Sequence, residues 1–120
     1  MLTIEVIEDD SAMRTLISEW LRAEGYRVRA ESRIGDERRT DVDLVVVNLG
    51  NLHLDGIEYV RRVRQLYANA ALIGVSTQVS RTLAADSELA RHLGLVRLVS
   101  KPFRSSELLG AVVDAIGPAT

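Results

Sequence analysis

Apolar positions along this 120-residue chain follow two alternating patterns. Short runs rich in aliphatic and β-branched residues, LTIEVI at 2–7, LVVVN at 44–48, ALIGVS at 71–76 and LVRLVS at 95–100, have the length of strands. Leu44 to Val47 carry no polar position, the pattern of a strand buried on both faces. YRVRA at 26–30 alternates instead, which places one polar face near a sheet edge. Between these runs the apolar spacing is helical. Ser11 predicts an N-cap for AMRTLISEWLRAEG, with Met13, Leu16, Ile17, Trp20 and Leu21 on one stripe and Gly25 suited to a left-handed end. Asp55 is the expected cap of GIEYVRRVRQLY, burying Ile57, Val60, Val63 and Tyr67 while Arg61, Arg62 and Arg64 face water. SRTLAADSELARHLG reads as a helix closed by Gly94, and SSELLGAVVDAI as one with Leu108, Leu109, Val112, Val113 and Ile116 inward. The stretch ESRIGDERRTDVD offers only Ile34 and Val42, so its helix is expected to be short or replaced by a loop.

Strand–helix alternation with apolar strands predicts an α/β fold, a doubly wound five-stranded parallel sheet with a short or irregular second helix, over residues 1–117. Residues 118–120 read as a tail or the start of a linker. Apolar content of 47% and charged content of 27% suit a globular domain with a proper core. A net charge of −2 provides no basic field for nucleic acid, and one Trp, one Phe and three Tyr leave little surface for stacking bases. The absence of cysteine excludes disulfides and thiolate metal sites. Acids in MLTIEVIEDD stand where a signal peptide needs an apolar run, and no apolar stretch approaches the roughly 20 residues of a membrane helix. The expectation is a cytoplasmic domain with no direct nucleic-acid or membrane contact.

Doubly wound sheets bind ligands at the carboxyl ends of their strands. Strand one delivers Glu8, Asp9 and Asp10 there; strand three, Asn48; strand four, Ser76 and Thr77; strand five, Lys101, Pro102 and Phe103. Carboxylates suit a hard cation such as Mg²⁺, while a lysine and a hydroxyl suit phosphoryl oxygens. A nucleophile is missing, because a carboxylate takes a phosphoryl group as a mixed anhydride and a carboxamide does not. Each residue type also has an ordinary structural use in caps, turns and local hydrogen bonds. Their convergence on one rim moves the balance towards a site.

Four ordered stretches, VIEDDSAMR, DLVVVNLGNLHLDGIEYVRRVR, GVST and SKPF before an amphipathic helix, resemble the receiver domain of two-component response regulators, as in the stand-alone chemotaxis regulator. The resemblance runs from about Leu2 to Ile116. It implies a flavodoxin-like fold, no enzyme activity of its own, and a phosphoryl group passed from a histidine kinase to an Asp at the end of strand three with Mg²⁺ bound. Residue by residue, it places Glu8 and Asp9 on the acidic metal pair and the backbone carbonyl of Gly50 on a further metal ligand. Ser76, with Thr77 beside it, falls on the hydroxyl that contacts the phosphoryl group, Lys101 on the lysine that pairs with it, and Asn48 on the phosphoacceptor. Implied partners are a histidine kinase, a phosphotransfer protein or a downstream effector. A homodimer through the 84–113 face, which includes Ser87, Glu88, Arg91, Arg97 and Glu107, is among the arrangements it allows.

Asn48 in place of Asp, Leu52 where the family usually has proline, Leu98 where it often has an aromatic switch residue, and the short 31–43 segment all depart from the pattern. Two origins of the amide stay open. Intact Glu8, Asp9, Ser76 and Lys101 fit an engineered Asp-to-Asn change in a phosphorylatable receiver. The joint departures at Leu52, Leu98 and 31–43 fit a naturally divergent pseudo-receiver, the favoured expectation, with weak Mg²⁺ binding. An unrelated enzyme finds no support: there is no G-x-G-x-x-G or P-loop, and neither His53 nor His92 lies by a plausible nucleophile. Arg38-Arg39 and Arg61-Arg62-Arg64 are short sets typical of a solvated face.

Overall fold

A computed structural model describes residues 1–50, 54–77 and 88–119; side chains at 54–57 and 89 lie outside that description. Its elements are β1 (Thr3–Ile7), α1 (Ser11–Ala23), β2 (Arg27–Glu31), β3 (Leu44–Asn48), α2 (Leu54–Leu66), β4 (Ala71–Ser76), α3 (Glu88–Leu93), β5 (Arg97–Ser100) and α4 (Ser105–Ile116). All strand pairs are parallel, in the order β2-β1-β3-β4-β5. The direction of winding reverses between β1 and β3, so the ends of those two strands flank a crevice.

Side chains of β3 alternate between two cores, and the apolar run is needed for both. Leu44 and Val46 join Ile17 and Leu21 of α1 and Leu108, Ala111 and Val112 of α4. Val45 and Val47 join Val60, Val63 and Leu66 of α2, Tyr67 just beyond it, and Ala90 and Leu93 of α3. Full burial of each such aliphatic side chain stabilises by about 1.5–3 kcal/mol. The alternating YRVRA stretch is the edge strand β2, as its one polar face requires, shifted by one residue to Arg27–Glu31.

Several expectations need correction. Asp10, not Ser11, caps α1: its carboxylate accepts the Met13 N–H at 2.9 Å, and Ser11 is already helical. Both residues are good caps, and the charged one also complements the positive helix end. Leu16 and Val113 lie at helical spacing yet point outward, being 40% and 43% exposed. Each stands beside the stripe that its neighbours Ile17 and Val112 fill. Helix α2 already includes Leu54, so Asp55 falls within the helix and not at its cap. The 32–43 stretch contains no helix. Val42 is nonetheless buried, and the Arg39 N–H donates to the Leu66 carbonyl at 2.7 Å, tying this stretch to the end of α2. The helix expected over 80–94 is seen as α3 from Glu88; residues 78–87 lie outside the description. Gly25, at φ 102°, has the left-handed conformation expected after α1.

Candidate functional site

Glu8 follows β1 directly and is 2% exposed. Its carboxylate is held from three directions. Lys101 donates from Nζ to Oε1 at 2.7 Å, Asn48 from Nδ2 to Oε2 at 2.9 Å, and the Asp10 N–H to Oε2 at 3.1 Å. Arg14 of α1 donates to the Glu8 carbonyl at 2.8 Å, fixing the backbone of the turn. The sequence reading missed Arg14 and the Asp10 N–H. Their signal was position alone: an acid at the cap and an arginine one turn into the helix.

Asn48 joins the strand ends. Its Nδ2 also donates to Asp9 Oδ1 at 3.0 Å, and its Oδ1 accepts the Gly50 N–H at 3.1 Å. Carboxylates can only accept and an N–H can only donate, so these neighbours fix the orientation of the amide. The turn it closes needs a left-handed residue, and Gly50 provides one at φ 57°. Asp9 is exposed, and hydrogen bonding at the rim holds its carboxyl below the usual carboxylate range. Burial raises the Tyr59 phenol, and the charge of Asp9 adds to the shift.

Ser76 is fully buried at the end of β4 and donates from Oγ to the Gly50 carbonyl at 3.1 Å. Thr77 is exposed beside it. The Lys101 N–H donates to the Ser76 carbonyl at 2.9 Å, which anchors the lysine backbone to β4 while its side chain crosses to Glu8. Glu8, Asp9, Asn48, Gly50, Ser76 and Lys101 therefore form one connected hydrogen-bonded rim. Leu98 is fully buried, and a Cβ added at Gly74 would meet its Cδ1 at 3.1 Å, so this position is packed into the core. His92 is exposed on α3; His53, Leu52 and Ser87 lie outside the described residues.

Two carboxylates and a carbonyl are the donor set a divalent ion takes. Here Glu8 and Asp9 each accept from the Asn48 amide, the Gly50 carbonyl accepts from Ser76, and the second Glu8 oxygen holds Lys101. Carboxylates and carbonyls keep further lone pairs beside the bonds they accept, so Glu8, Asp9 and the Gly50 carbonyl would be the residues to hold such an ion, in competition with the Asn48 amide. Among the described residues, no group of three or more His, Asp or Glu side chains is placed to hold a metal.

A parallel sheet in this order, with an acidic pair, a hydroxyl and a lysine gathered at its switch point, defines the flavodoxin-like receiver fold. The sequence matches the response regulator receiver domain over residues 4–113, and the chain belongs to that family. It is 33% identical over 118 residues to the regulatory protein VirG of Agrobacterium fabrum, covering 92% of this chain and 44% of that protein. The chain thus spans about half the length of the VirG relatives it matches. The non-phosphorylated HemR receiver domain of Leptospira biflexa superposes with a TM-score of 0.76 at 22% identity, over 97% of this chain and 94% of that one. A Burkholderia pseudomallei response regulator, solved with a phosphorylated aspartic acid, a calcium ion and citrate, superposes with a TM-score of 0.68 at 20% identity, over 92% of this chain and 66% of that one. Receiver domains are signalling modules of two-component systems that contact histidine kinases and downstream effectors. No described helix is long and apolar enough to cross a membrane.

Proposed function

We propose that this chain is a pseudo-receiver: a module that signals through protein contacts and takes no phosphoryl group at residue 48. The observation that carries the reading is the double donation from Asn48 Nδ2 to Glu8 and Asp9, at 2.9 and 3.0 Å. An amide nitrogen has no free lone pair for attack on phosphorus, and the amide oxygen is committed to the Gly50 N–H. The same two hydrogen bonds relieve the repulsion between neighbouring carboxylates that a bound cation would otherwise screen. Mg²⁺ binding is correspondingly weak, since the ion competes with them and has one anionic ligand fewer. A domain whose ligands do not discriminate between two conformations stays in one, so the output rests on which partner it meets. The buried Leu98 and the helix-free 32–43 segment support natural divergence, because neither follows from a change at residue 48.

A second reading is a phosphorylatable receiver with an engineered Asp-to-Asn change at position 48. The intact Lys101–Glu8 pair and the buried Ser76 favour it. Partner contact, including a homodimer through the 84–113 face, belongs to both readings. Of the residues expected there, Glu88 and Arg91 are exposed, Arg97 pairs with Asp114 at 2.9 Å, and Glu107 receives the Arg104 N–H at the start of α4.

Incubation with a small-molecule phosphodonor and Mg²⁺, followed by intact-mass measurement, tests the proposal. The expected result is no adduct on this chain and one phosphoryl group on the Asn48→Asp variant. A stable adduct on the unmodified chain, at Asp9 or elsewhere, would overturn it. The codon for residue 48 in the native gene separates divergence from engineering.

A further inference from the structure

The Asn48 amide is no nucleophile, but its carbonyl carbon is an electrophile, and the rim surrounds it with groups that amide hydrolysis uses. Asn48 ends β3 half-buried, next to the exposed Asp9, so water has access to both. Nδ2 lies 2.9 Å from Glu8 Oε2 and 3.0 Å from Asp9 Oδ1, which sets two proton-carrying groups against the nitrogen that would leave. Oδ1 faces the Gly50 N–H at 3.1 Å, where negative charge would develop during attack on the carbon. The common route by which asparagine loses its amide is different: the backbone nitrogen of the next residue attacks the side-chain carbon and closes a ring. Here that nitrogen belongs to Leu49, which is 7% exposed and donates to the Val75 carbonyl at 2.9 Å. Ring closure would have to break this tie to β4. Attack by water needs no such movement.

We infer that the rim hydrolyses its own Asn48 amide to aspartate, once per chain, and so makes the phosphoacceptor that the sequence lacks. The inference rests on the reading above, that residue 48 enters the site as an amide and takes no phosphoryl group in that form. Water adds through its oxygen to Asn48 Cγ and gives a proton to Asp9, while the carbonyl electron pair moves onto Oδ1. The proton on Asp9 then passes to Nδ2. The electron pair on Oδ1 restores the carbonyl, and the C–N bond breaks with its pair leaving on nitrogen as ammonia. The new carboxylic acid hands its proton to the ammonia. Carboxamide and water have become carboxylate and ammonium, with no change of oxidation state. Glu8 and Asp9 accept from a neutral nitrogen at the start and face a cationic one at the end. The Gly50 N–H likewise faces a neutral oxygen that becomes an oxyanion. All three contacts strengthen along the reaction, which is what lowers its barrier. Lys101 holds the other oxygen of Glu8 at 2.7 Å and keeps Oε2 turned to the nitrogen. The chain thereby passes, in one direction only, from a receiver without a nucleophile to one that has it.

Ageing of the freshly prepared, folded chain without added divalent cation, followed by intact mass and peptide mapping, tests the inference. Residue 48 is expected to convert to aspartate with no isoaspartate, the isomer that ring closure leaves behind. In Asp9→Ala the conversion slows by about 10²–10⁴-fold, the range of general acid–base catalysis. Asn69, an exposed amide on the turn after α2, serves as the internal reference and converts at an unchanged rate. An amide at 48 that outlasts the one at Asn69, isoaspartate at 48, or an undiminished rate in Asp9→Ala overturns the inference. Should the variant fail to fold, the unmodified chain decides the matter. Isoaspartate at 48 in urea but not in the folded state supports hydrolysis by the rim, and isoaspartate in both overturns it. A small-molecule phosphodonor with Mg²⁺, added after ageing, is expected to label the converted chains alone. Failure to convert leaves the pseudo-receiver reading standing, whereas a phosphoryl group on chains that keep the amide overturns that reading.

Discussion

Two glutamates on the same stretch of chain, Glu5 and Glu8, are both buried, yet their surroundings are opposite. Glu8 receives a lysine, an amide and a backbone N–H, and every donor arrives within 3.1 Å. Glu5 has an arginine nearby and no hydrogen bond to either oxygen. Burying a carboxylate is tolerable when it is paired and hydrogen-bonded, and otherwise the group favours its neutral form. The difference follows from position on the strand. Glu8 is at the carboxyl end, where four strands deliver polar residues to one rim. Glu5 is in mid-strand, where neighbouring side chains are chosen for packing and only the missing helix leaves room for a charged cluster. Buried charge in this fold is thus stable where the topology brings donors together and sensitive to protons where it does not.

Removing the cation from Glu8 is the most direct way to break that contrast. Lys101→Met keeps the length of the stem and deletes the ammonium, leaving Glu8 with two donors and no counter-charge. Truncating one partner of a buried pair costs about 3–5 kcal/mol, and the lower end is expected here because Asn48 and the Asp10 N–H remain. Urea unfolding at neutral pH measures it. A loss below about 1 kcal/mol, the range of exposed pairs, would show that the rim draws little from its lysine.

The same contrast can be erased from the other side. Replacing a poorly paired buried charge with an apolar residue is often stabilising by about 1–4 kcal/mol, and Glu5→Leu is expected to gain about 2 kcal/mol at pH 8. Arg29 keeps Asp41 as its partner in this variant. The pH profile carries the sign. Because the Glu5 value is raised from 4.5 to about 8, the folded chain keeps a proton that the unfolded chain gives up. Its contribution to stability is full below about pH 4.5 and is lost as pH rises through about 8. Stability of the unmodified chain therefore declines across that window, and Glu5→Leu flattens the decline. A profile unchanged by the substitution would place the titrating group elsewhere.

The contrast also shows what a sequence can and cannot disclose. Leu44 to Val47 announce a two-faced strand because burial on both sides leaves no position for a polar residue, whereas the weak apolar content of 31–43 points only to a helix that is short, irregular or replaced by a loop, and the structure has none there. The family resemblance placed Glu8, Asp9, Asn48, Gly50, Ser76 and Lys101 on one rim, and the structure brings all six together. Less was legible where a residue's partner is remote or its neighbour equally suitable. Glu5 reads as the one charged position in β1, and nothing in that strand reveals that the segment covering it lacks a helix. Lys101 meets Glu8 across 93 positions of sequence, so the pairing depends on the order of the strands. Leu16 and Val113 have helical spacing, but spacing fixes a direction only to within the width of a stripe.

The smallest effect concerns the turn that joins the rim to α1, where Asp10 and Ser11 compete for one role. Asp10 accepts the Met13 N–H with its carboxylate and donates its own N–H to Glu8, so it serves the helix through its side chain and the rim through its backbone. Asp10→Ala deletes only the first of these, and loss of a cap costs about 1 kcal/mol. Ser11→Ala removes no cap and improves helix propensity slightly, so it should be neutral or stabilising by a few tenths of a kcal/mol. Unfolding of the two variants side by side distinguishes the assignments. Equal losses, or a larger loss at Ser11, would return the cap to the serine. If Asp10→Ala instead costs about as much as Lys101→Met, the aspartate side chain supports the rim as well as the helix, and the support of Glu8 extends further than its three donors.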